Sequence, residues 1–157
     1  LRMSSPDTCL FGRRVELDPA TTERLTHQKN LSGLCFSKLL FTKSRRIGDS
    51  IYLPFSICRK KDGLRGCNFS VPREVLVKIN GFDEDFEKPF GGEDDDIERR
   101  LKLIGIKLTC TRFQTVQYHL YHEVGESRHQ EWLDEGRRMV QRKVAEGAWY
   151  CKNGLSK

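Results

Sequence analysis

Gly91-Gly92-Glu93-Asp94-Asp95-Asp96, running into Ile97-Glu98-Arg99-Arg100-Leu101-Lys102-Leu103-Ile104, is the stretch from which the fold is read. Four consecutive carboxylates repel one another, so the run needs a reason. Ile97, Leu101 and Ile104 recur at helical spacing, which predicts a helix beginning inside the acidic run. Carboxylates in a first turn are favoured by the helix dipole and can cap free amides. The two glycines allow a sharp bend and leave room for a ligand close to the main chain. A general base beside a bound hydroxyl could be held in such a place. The plain alternative is an acidic helix cap with no chemistry.

The elements on either side form an alternating pattern. Thr8 to Leu17 reads as a strand interrupted at Gly12, and Asp18-Pro19 opens a helix reaching about His27. Leu31 to Phe41 has helical character, and Ser44 to Asp49 reads as a basic loop. Tyr52 to Ile57 reads as a short edge strand because of Pro54. Gly66 to Val71 is a short strand, Pro72 starts a helix through Ile79, and Asn80-Gly81 stops it. Lys107 to Arg112 and Thr115 to His119 read as strands, and Glu131 to Glu146 as a helix packing through Trp132, Met139 and Val140. The expected fold class is α/β, a mixed sheet flanked by helices.

The 157 residues suit one domain, read as 1–157, and the start at Leu1 suggests part of a longer protein. No apolar run approaches the roughly 20 residues that span a bilayer. The net charge of +6 suits nucleic acid, an anionic membrane or a phosphorylated substrate and selects none of them. The six cysteines form no CxxC pair, which argues against a zinc ribbon. Their number allows a disulfide framework, but Cys35, Cys67 and Cys110 sit among apolar residues and read as buried free thiols. A reducing, cytoplasmic location is expected, with peripheral membrane association left open.

The ordered set from Gly66-Cys67-Asn68-Phe69-Ser70 through Asn80-Gly81-Phe82-Asp83-Glu84-Asp85-Phe86 to Gly91-Gly92-Glu93-Asp94-Asp95-Asp96 and Arg99-Arg100-Leu101 resembles a known family. It is similar to the C-terminal, galactosyltransferase-type part of GT-A glycosyltransferases of the family 2 kind. The resemblance covers about Gly66 to His122. It implies a partial GT-A-like fold, with this chain as the acceptor-side part of a larger enzyme. It implies inverting transfer of a sugar, galactose or N-acetylhexosamine, from a UDP-sugar donor to a carbohydrate acceptor hydroxyl. Asp94 takes the place of the general base, since an alcohol is a poor nucleophile until a carboxylate removes its proton. Glu93 and Asp95 would orient the acceptor, while Asp96 and Glu98 read as capping and surface charge. Gly66, Gly91 and Gly92 would admit substrate, and Asn68 would hold backbone or sugar groups. Phe90 stands where relatives often carry tryptophan and would stack on a sugar face. Asp83 and Glu84 read as loop-fixing residues.

The same resemblance implies Mn²⁺ or Mg²⁺, expected only together with an upstream acidic motif. Asp94-Asp95-Asp96 has the DxD form but lies in the wrong half of the pattern. Upstream, Asp7, Asp18, Asp49 and Asp62 are isolated. His119 is the first candidate ligand and His122 the second. Alternation along the strand would put His119 and Tyr121 on one face, opposite His122. Two rivals remain, a non-catalytic basic binding module and an inactive glycan-binding relative. The chain carries no nucleic-acid motif, and no nucleic-acid partner is expected.

Overall fold

The computed structural model describes residues 3–29, 31–59, 62–87, 92–123 and 130–156. The chain is mixed α/β and compatible with a partial GT-A-like fold. It forms two compact units, one from Leu1–Leu10, Gly63–Thr109 and Val124–Lys157, the other from Phe11–Asp62 and Cys110–Glu123.

The first unit carries a three-stranded sheet in the order β3 (Phe69–Ser70), β1 (Thr8–Phe11), β4 (Lys107–Cys110). Three helices accompany it, α3 (Arg73–Lys78), α4 (Glu93–Leu103) and α5 (Gln130–Glu146). Helix α4 begins where the acidic run predicts, behind Gly92 at φ 92°, and places all four carboxylates in its first turn. Ile97 and Leu101 are fully buried, and each such side chain stabilises the fold by about 1.5–3 kcal/mol. Helix α3 stops at Asn80, φ 65°, and Gly81, φ 75°, as their types foretell. The Asn80 amide then donates to the Cys151 and Ser156 carbonyls and fixes the C-terminal segment.

In the second unit β2 (Arg13–Glu16) pairs in parallel with β5 (Val116–His119). The interruption foreseen at Gly12 divides the expected strand into β1 and β2, which lie in different sheets. Asp18 caps α1 (Pro19–Gln28) by accepting from the Thr21 amide, and Ser44 and Thr21 hydroxyls hold its other oxygen. Those hydrogen bonds overcome the opposing effect of burial and lower its pKa to about 2. Val15, Leu17, Leu25 and Leu39 form the core here, with Leu34, Ile47 and Tyr118 packed against it.

Several expectations are corrected. Leu31 to Phe41 holds only a 3-10 turn at Leu31–Gly33 and a single turn, α2 (Phe36–Leu39). Tyr52 to Ile57 is not a strand. It is an extended segment tied to the turn after β4 by Leu53 N–H to Phe113 O and by Ser56 and Pro54 to Gln114. Cys110 is not a free thiol but is bonded to Cys58, and Cys35 and Cys67 are exposed rather than buried. Local apolar neighbours in sequence did not report the packing of those sulfurs.

Candidate functional site around Asp94

The first turn of α4 divides the acidic run into distinct environments. Asp95 is exposed, and Glu93 and Asp94 are half-buried. Asp96 is fully buried, which corrects its reading as a surface or capping charge. It bonds Arg100 Nε at 2.7 Å and Arg99 Nη2 at 2.9 Å. Arg100, equally buried, also donates to the Ile79 and Gly81 carbonyls. Helical geometry explains the split, because positions 94, 95 and 96 point about 100° apart round the axis.

Asp94 Oδ1 accepts the Gly66 N–H at 2.8 Å. Among the described residues no hydrogen bond or ion pair engages Oδ2. Burial raises the Asp94 pKa, as does the neighbouring Glu93 and, less, Asp95. The Gly66 N–H and Arg65 pull the other way but do not prevail. A carboxylate made more basic, with one oxygen anchored and the other open, has the character a general base needs. A Cβ on Gly66 would lie 2.3 Å from Asp94 Oδ1, so glycine is required there for the contact.

Glu98, one turn further on, was also read as surface charge and is corrected. Its Oε2 accepts the Leu64 N–H at 2.6 Å, and Lys102 pairs with Oε1. Gly63 and Leu64 were not recognised as part of the site from the sequence. The spacing of Gly63 and Gly66 against Asp94 and Glu98 was visible, but pairings across about 30 residues are not a local signal.

Of the other expected residues, Asn68 is half-buried in the turn after Gly66, its N–H bonded to Arg65 O. Gly92 caps α4, and a Cβ there would meet Val140 of α5 at 2.7 Å. Phe90 and Gly91 lie outside the described residues. Asp83 and Glu84 fix the loop as expected. Lys143 Nζ bridges Asp83 and Asp85 at 2.7 and 2.6 Å, and the Glu84 N–H bonds Asn153 O. Two cavities in this unit, about 620 Å³ beside Thr8 and Ser70 and about 60 Å³ between Phe86 and Trp132, are not lined by Asp94.

His119 and His122 belong to the second unit. Strand β5 ends at His119, so the expected alternation does not continue, and the two rings meet edge-on with centroids 5.2 Å apart. Burial lowers the His119 pKa, as do Arg14 and His122 against the opposing Glu16, which favours the neutral imidazole. That suits a metal ligand. Among the described residues, however, no set of three potential ligands includes either histidine. These residues therefore do not by themselves build a Mn²⁺ or Mg²⁺ site. Among the described residues the one such grouping is Cys58, Asp62 and Cys110. Its sulfurs are joined, and the Asp62 oxygens are taken by Arg13 and the Arg59 N–H.

Residues 52–123 match a family model described as the N-terminal domain of galactosyltransferase. The matched segment is similar to a galactosyltransferase-type glycosyltransferase domain. It takes in just under half of the chain, including Gly66, Asp94, Glu98 and both histidines. The matched family is an N-terminal domain, whereas the motifs from Gly66 to His122 resemble a C-terminal part. No curated protein and no solved structure matches the chain. The galactosyltransferase-type match supports a glycosyltransferase role and implies a sugar donor and a sugar acceptor in general terms. Among the described residues no helix is long and apolar enough to cross a membrane.

Proposed function

We propose that this chain forms the acceptor side of an inverting glycosyltransferase, with Asp94 as the general base. The donor is a UDP-sugar carrying galactose or an N-acetylhexosamine, and the acceptor is a carbohydrate hydroxyl. The observation that carries this reading is the state of Asp94 within a galactosyltransferase-type segment. It is half-buried, its pKa is raised, one oxygen is fixed by Gly66 and, among the described residues, the other is unengaged. In the step, Asp94 Oδ2 takes the acceptor O–H proton as that oxygen bonds to the anomeric carbon. The bond from this carbon to the diphosphate breaks, with inversion. Glu93 and Asp95 flank the base and would accept neighbouring hydroxyl protons of the acceptor.

A divalent cation, when bound, would offset charge on the departing diphosphate. His119 is the residue of this chain suited to join carboxylates from elsewhere around it. Arg13, Arg100 and Arg112 are paired with Asp62, Asp96 and Asp49 inside the fold.

The test is transfer from UDP-galactose and UDP-N-acetylhexosamines to a panel of sugar acceptors by the full-length protein with Mn²⁺. Asp94→Asn should lower transfer about 10²–10⁴-fold while donor binding persists. Equal turnover by the variant removes Asp94 from the base role.

A further inference from the structure

We propose that Glu98 is a positioning residue for Asp94. The two carboxylates, one helical turn apart on α4, clamp the segment Gly63–Gly66 by its backbone amides and thereby fix which Asp94 oxygen faces an acceptor. The inference rests on the reading of Asp94 as the base and adds the part that orients it.

Four observations meet in one unit of the fold. Glu98 Oε2 takes the Leu64 N–H at 2.6 Å, and Asp94 Oδ1 takes the Gly66 N–H at 2.8 Å. A Cβ on Gly63 would stand 2.8 Å from Glu98 Oε2, and one on Gly66 would stand 2.3 Å from Asp94 Oδ1. Both ends of the segment are thus glycine where a carboxylate presses against the backbone. Between them Leu64 is 3% exposed and anchors the segment by burial. The two carboxylates differ in what remains open. Lys102 holds the second oxygen of Glu98, whereas among the described residues nothing engages Asp94 Oδ2. Glu98 is therefore a fixed support, and Asp94 is held at one oxygen and available at the other.

An amide donating to a carboxylate stabilises its charged form. That effect depends on the segment staying in place. The Leu64 bond, two residues before Gly66, supplies that constraint.

The experiment follows the Gly66 amide and the Asp94 carboxyl carbon by NMR across pH, in the ¹⁵N- and ¹³C-aspartate-labelled full chain. In the native protein the Gly66 amide shift should follow Asp94 ionisation with one midpoint. In Glu98→Ala that following should be lost, and Gly66 amide exchange should accelerate by at least about tenfold, the scale of a lost charge-assisted hydrogen bond. Glu98→Gln retains an acceptor for Leu64 and should restore both. If Glu98→Ala does not fold, Gly63→Ala makes the same test by forcing the Glu98 carboxylate aside. A Gly66 amide that still titrates with Asp94 in these variants, at native exchange rate, overturns the proposal. Should Asp94→Asn keep full transfer while the NMR result holds, the base reading falls and the clamp stands.

Discussion

Removing the Asp96 carboxylate should be among the most damaging single changes to the first unit. Asp96 and Arg100 are each 1% exposed and bonded at 2.7 Å, and Arg99 adds a second bond at 2.9 Å. Asp96→Ala leaves the Arg100 guanidinium buried without a counter-charge, which costs about 3–5 kcal/mol in comparable sites. Arg100 keeps its bonds to the Ile79 and Gly81 carbonyls, and Arg99, at 15% exposure, can turn toward water. The expected loss is therefore near the lower end, about 3 kcal/mol. Arg100→Met should cost less, about 2 kcal/mol, because Asp96 retains Arg99 and only two carbonyls lose a donor. Combining the two changes should cost less than their sum by about 1–3 kcal/mol. Urea unfolding followed by circular dichroism, with the slope checked for constancy, measures all three. A loss below about 1 kcal/mol for Asp96→Ala, or strict additivity of the pair, would refute the claim that this buried pair holds α4.

A carboxyl whose folded pKa lies above its unfolded value stabilises the fold below the unfolded pKa and loses that contribution as pH rises through the folded one. Asp94 is such a group, so Asp94→Asn, which keeps an acceptor for Gly66, should melt at or above the native Tm at pH 7. The difference should shrink as pH falls into the carboxylate range, and a clear drop in Tm at pH 7 would contradict this. The Cys58–Cys110 bond closes a loop with a sequence separation of 52. Dithiol reduction should therefore lower stability by up to about 4 kcal/mol, read as a shift in urea midpoint that Cys110→Ser abolishes. A midpoint insensitive to complete reduction would deny the bond that role.

Much of the candidate site was legible because its signals are local. Gly92 before four acids, with Ile97 and Leu101 a turn apart, was enough to place α4, since a helix start depends on neighbours within one turn. Asn80-Gly81 and Asp18-Pro19 were read correctly for the same reason. The role proposed for Asp94 follows from the resemblance of its motif, and its raised pKa comes first from burial at that position. The histidines were picked out as a pair, but their meeting edge-on depends on the chain leaving β5 after His119.

By itself the sequence determined the α/β character, the ends of most helices and the carboxylate proposed to do the chemistry. These follow from propensities and caps that act over three or four residues. Only the tertiary structure decided what each acid of the run does. Asp96 turned inward to two arginines, Glu98 took the amide of a backbone segment some thirty residues earlier, and Asp94 took the Gly66 amide through one oxygen. Identical side chains at adjacent helical positions point in different directions, and what they meet there is set by chain segments far away in sequence. The bond between Cys58 and Cys110 was decided in the same way, by proximity that no spacing of cysteines encodes.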